Sequence, residues 1–192
     1  MFYNHPFEAW SQASGSAQSQ GPSVFGALPY PADPSTMTSF FFTSYNPNIF
    51  NCTVVGPKAQ PCYQIVTDDQ MPGYTVVKDM EGKNVSLIEW QKQPFIEIRG
   101  MVSKQAIGTW LRLSPNKDSR AMEVRGMKYM WVPKEKTINL YAATSGNPKF
   151  VARINRSNGA IVLDFTPEAM QLGLLEPVIT ACLLMQCGRN ID

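Results

Sequence analysis

Arg120, Arg125, Lys128, Lys134 and Lys136 fall within 17 residues, with Tyr129 and Trp131 among them. Cations interleaved with aromatics suit an anionic headgroup or a membrane interface. The charged groups are drawn to negative surface potential, and the rings settle where water meets apolar matter. A plainer reading makes the same stretch the wet face of two strands whose aromatics point inward. Covalent chemistry has less to work with. The single histidine is His5, so Ser-His-Asp and Cys-His arrangements have no base in the rest of the chain. No G-x-S-x-G, H-E-x-x-H, phosphate-loop or G-x-G-x-x-G pattern occurs. Glu89 and Glu97 lie on neighbouring candidate strands, where they serve equally as outward solubilising groups. The chain is expected to be no enzyme, with no catalytic residues and no cofactor.

Charge and cysteine usage narrow the classes further. Formal net charge is +2. Residues 1–36 hold no Lys or Arg and two acids, so the remainder carries +4. This is well short of a nucleic-acid footprint, and a stacking platform for nucleic acid is a distant third class. No basic and apolar leader opens the chain, so export is not expected. The sequons at Asn51, Asn84 and Asn155 then read as chance matches. The four cysteines, Cys52, Cys62, Cys182 and Cys187, read as reduced thiols of a cytoplasmic protein. Zinc wants tighter clusters with His partners, so no metal site is expected.

The elements that position these residues come in two textures. Residues 1–36 are dominated by Gly, Ser, Gln and Pro with no lasting period, and read as a disordered low-complexity tail. Their aromatics, such as Phe7, Trp10 and Tyr30, could dock on the folded part or on a protein partner. Residues 37–192 read as one domain. From Ser39 to Phe165 about twelve short β-rich runs follow one another, bounded by turn residues and spaced near ten residues apart. In "FIEIR", Ile96 and Ile98 oppose Phe95, Glu97 and Arg99; in "KFVARI", Phe150, Ala152 and Ile154 oppose Val151 and Arg153. Such alternation predicts one buried and one wet face. "RINRSNGAIVLDF" reads as a hairpin with Asn158-Gly159 at its corner.

Beyond the strands, Thr166 and Pro167 can start a short helical turn that Gly173 closes. The stretch "LGLLEPVITACLLMQCG" follows, and as a helix from Pro177 it has no polar face. At 1.5 Å per residue its apolar run of about 14 residues spans only about 21 Å, against a hydrocarbon core of about 30 Å. An interfacial helix needs a polar side. Burial on all sides is left, with Val178, Ile179, Leu183 and Leu184 as core residues. Twelve tilted strands closed on themselves would have a radius of roughly 12 Å, enough to hold one helix about 10 Å across. The expected fold is therefore mainly β: a closed antiparallel barrel of about 12 strands around a central hydrophobic C-terminal helix.

The pieces "FFFTSYNPNIFNCTV", "PCYQIVT", "IEW", "GMKYMWVP", "PKFVARINR" and "AIVLDF", leading into the oily segment, resemble a fungal, mainly basidiomycete, family of tubby-like domains. The resemblance covers roughly residues 38–190. It implies kinship with the tubby C-terminal domain, the LURP-one-related proteins and the phospholipid scramblases. In tubby proteins basic residues bind phosphoinositides. The calcium-binding segment and membrane-proximal cysteine-rich region of scramblases have no counterpart, so lipid scrambling is not implied. The expected function is a non-catalytic binding or adaptor module for acidic phospholipid headgroups, cytoplasmic and peripheral to a membrane. The alternative is a protein-interaction scaffold with no lipid ligand.

Overall fold

The structure, a computed structural model, describes residues 36–144, 146–157 and 159–192. The tail expected over 1–36 and its aromatics therefore lie almost wholly outside the described residues, as does Asn158. Thirteen strands form one antiparallel meander: β1 Thr38–Thr43, β2 Cys52–Val55, β3 Pro61–Thr67, β4 Tyr74–Asp79, β5 Asn84–Glu89, β6 Phe95–Ile98, β7 Val102–Ala106, β8 Arg112–Leu113, β9 Arg120–Val124, β10 Met127–Lys134, β11 Thr137–Ala142, β12 Lys149–Ser157 and β13 Ala160–Phe165. A helical turn, α1 (Ile107–Trp110), separates β7 from β8, and α2 (Pro167–Gln171) and α3 (Leu175–Gln186) follow the last strand.

The hydrogen-bonded order runs β7-β6-β5-β4-β3-β2-β1-β13-β12-β11-β10-β9-β8. No pairing joins β7 to β8 among the described residues, so the sheet is open and the closed barrel expected from the sequence is not what forms. The reason lies in "VSKQAIGTWLRL". Successive antiparallel pairings make β7 and β8 run in the same direction, opposite to β9. They are two pieces of one strand path, broken by α1. β7 gives its ladder only to β6, and β8 pairs its two residues only with β9. α1 touches β6 and β7 on one side and β8 and β9 on the other. Its Ile107 and Trp110 are buried and fill the break with side chains where backbone bonds would be needed to close the sheet. The count of strands differs from expectation for the same reason. "VSKQA" has two adjacent exposed residues and no clean alternation, so no strand is legible there, whereas the expected strand "TWLRL" is half helical turn.

Helix α3 begins two residues before Pro177, which falls in the first turn, where its missing N–H leaves no bond broken. Every residue from Pro177 to Met185 is buried. Its one hydroxyl in that span is satisfied: Thr180 donates to the Glu176 carbonyl at 2.8 Å and meets Ser86 of β5 at 2.9 Å. Tyr63 of β3 reaches Glu176 at 3.3 Å and Arg156 of β12 reaches Gln186 at 2.9 Å. These strands come from opposite halves of the sheet, so the open sheet curls around the helix. Inward residues of strands from both halves, among them Phe42, Ile65, Ile88, Ile96, Trp131 and Leu163, share one core with it. Thr166 caps α2 by accepting from the Ala169 N–H, with Pro167 at the first helical position.

Alternation holds in β6, where Ile96 and Ile98 are buried and Glu97 is exposed. It fails in β12. A bulge pairs Leu140 with Ala152 and Tyr141 with Phe150, so Val151 is an extra residue. Val151 joins Ala152 and Ile154 in the core, while Phe150 stacks edge-on with Tyr141 at 5.8 Å.

Candidate functional site

The break in the sheet leaves a cleft of about 560 Å³ between β7 and the β8–β9–β10 side. Its floor is Trp110, whose indole N–H donates to the Glu123 carbonyl at 3.1 Å. That carbonyl belongs to the part of β9 beyond the reach of β8, which pairs only with Arg120 and Ala121. Across the cleft the Ser103 carbonyl of β7 accepts from the Gln105 side chain at 3.3 Å. Side chains thus take the place of a strand on both edges. We expect Trp110→Phe, which removes the donor and part of the buried volume, to cost about 2 kcal/mol or more in chemical denaturation. An unchanged midpoint would show that the indole bond does not hold the seam.

Arg112, Arg125 and Lys128 line this cleft, and Glu123 is the one carboxylate among its lining residues. None of the three cations forms an ion pair among the described residues. Lys128 lies directly opposite Glu123 in the β9–β10 ladder. Arg125 sits at the corner of that hairpin, with φ of 52° beside Gly126 at 78°. Two left-handed residues in a two-residue loop are the turn whose twist matches paired strands. The cleft therefore offers three exposed cations and the hydroxyls of Ser103 and Thr109. The charge of such a set suits an anion.

The five cations singled out in the sequence do not gather. Arg120 is buried, with only 3% of its side chain exposed. It donates to the Leu111 carbonyl at 2.8 Å and grips both carboxylate oxygens of Asp192, at 2.9 and 2.7 Å. It is structural, and its planar fork explains why arginine stands there. Arg125 and Lys128 are exposed at one end of β10, and Lys134 and Lys136 at the other. Six residues of strand separate Lys128 from Lys134 by about 20 Å, beyond one headgroup and beyond the Debye length of about 8 Å. Tyr129 and Trp131 are both buried and face the core, as the plainer reading holds. Sequence reasoning missed Arg112, because nothing local announces that the break at α1 brings it beside Arg125 and Lys128. Val178, Ile179, Leu183 and Leu184 are all buried in α3.

Two of the four thiols, Cys52 and Cys182, are sealed in the core. Burial pushes Cys52 up to about 12 and Cys182 well above the ordinary thiol range, which keeps both protonated and inert at neutral pH. No helix among the described residues is long and apolar enough to cross a membrane.

No curated protein matches the chain in sequence. Among solved structures, a protein of Arabidopsis thaliana known by X-ray crystallography aligns with 12% identity and a TM-score of 0.43, over 81% of this chain and 95% of that one. The family model described as a family of unknown function, DUF6593, matches residues 47–190. That span takes in every strand from β2 onward, the seam and the buried helix, and the chain belongs to this family.

Proposed function

We propose that this protein is a non-catalytic binding module for acidic phospholipid headgroups at a membrane surface, with the seam cleft as the site. The observation that supports the reading is the meeting of Arg112, Arg125 and Lys128, three cations without ion-pair partners among the described residues, around one cleft. The resemblance to fungal tubby-like domains points to the same ligand class, since tubby proteins hold phosphoinositides with basic residues. The protein-interaction scaffold has one observation in its favour. The facing edges of β7 and of β9 beyond Ala121 have no strand partner among the described residues, and an extended peptide that displaced the Trp110 and Gln105 side-chain bonds could add there as a strand.

Co-sedimentation with phosphatidylserine-containing vesicles tests this. Each cation near an anionic surface is worth about 1 kcal/mol, so the double substitution Arg125→Gln and Lys128→Gln should weaken binding about 25-fold. Lys134→Gln with Lys136→Gln should change it little, because that end of β10 is about 20 Å away. Glu123→Gln should tighten binding by removing the opposing charge. Equal losses from both double variants would remove the cleft as the site. No binding by the unaltered protein at low salt would favour the scaffold.

A further inference from the structure

We propose that the end of the molecule carrying the β9–β10 turn and the α2–α3 turn penetrates the anionic bilayer shallowly, with Met127 and Leu172 entering the apolar layer while Arg125 and Lys128 engage phosphate. This rests on the headgroup reading above and adds how the protein sits on the surface. The two turns adjoin. A Cβ built on Gly173 would lie 3.6 Å from the guanidinium of Arg125. Both are sharply set by left-handed residues, Arg125 and Gly126 in one and Gly173, at φ 65°, in the other. Each presents a large apolar side chain to solvent at its rim: Met127 is 49% exposed and Leu172 56%.

Scattered apolar residues on a surface are ordinary. What sets this pair apart is the charge around it. Met71 is as exposed, at 58%, but its loop lies at the opposite end of the strands and carries Asp68 and Asp69, which an anionic surface repels. Met80, 53% exposed, stands between Asp79 and Glu81. At the Met127–Leu172 turns, exposed apolar tips stand beside two cations, Arg125 and Lys128, that have no ion-pair partner among the described residues. Cations at headgroup depth with short apolar side chains below them match the layering of a bilayer interface. A rigid two-residue turn also loses little freedom on docking.

The test uses the full chain and vesicles of phosphatidylcholine with phosphatidylserine. Met127→Asn with Leu172→Asn should lower vesicle affinity about tenfold or more, and the residual binding should become wholly salt-sensitive. Met71→Asn should leave affinity unchanged. Both altered residues are exposed, so melting temperatures should stay near that of the unaltered protein. If the double variant binds vesicles as tightly as the unaltered protein does, insertion is overturned and the headgroup reading survives as pure surface attraction. If the unaltered protein binds inorganic phosphate as well as it binds vesicles, the bilayer is overturned as the ligand. If it binds neither, the headgroup reading falls and insertion falls with it.

Discussion

Replacing any one of Val178, Ile179 and Leu184 with Asp leaves the chain unfolded or insoluble, read as loss of soluble expression and of the native circular dichroism spectrum. At 100° per residue these three side chains point about 100° or more from one another around the axis of α3. All three are buried, at 0%, 0% and 2% exposure. A surface helix always has a side on which Asp meets water, and there the substitution is mild. Here no such side exists. Each substitution removes apolar packing worth about 2–5 kcal/mol and also buries a carboxylate without a partner. A domain of this size holds only about 5–15 kcal/mol in total. If one of the three behaves like the unaltered protein, that side of α3 is exposed and the helix is not the centre of the core.

Arg120→Ala is expected to cost about 3–5 kcal/mol, the ordinary cost of breaking a buried charged pair from one side. The guanidinium is a knot between three parts of the chain. It stands on β9, bonds the Leu111 carbonyl just after α1, and holds Asp192 beyond α3. Losing it releases the seam and the segment that closes over the end of the core. Asp192→Asn leaves that guanidinium, 3% exposed, without its counter-ion and should also cost well above a surface pair, though less than Arg120→Ala because the amide oxygen still accepts from Arg120. Urea denaturation of both variants reads the difference. A cost for Arg120→Ala below about 1 kcal/mol would place the pair among surface ion pairs, which contribute little.

The helix was legible from sequence alone because its signal is local. Twelve residues with no polar stripe and too short to cross a bilayer admit one environment, and the mainly β character followed from runs that alternate or end at turn residues. Thr166 and Pro167 announced α2 in the same local way. The tertiary structure decided the rest. The first and last strands, β1 and β13, do pair; whether the two edges β7 and β8 meet is settled by the four residues of α1, which turn the path of β7 away before β8 can form. That break makes a cleft where closure was expected. It also selects which cations share a site: Arg125 and Lys128 with Arg112. Lys134 and Lys136 are left at the far end of β10, and Arg120 is drawn inward to Asp192, 72 residues away in sequence. Nearness along a strand is a poor guide to nearness in space, because each residue moves the chain about 3.3 Å onward and turns its side chain to the other face.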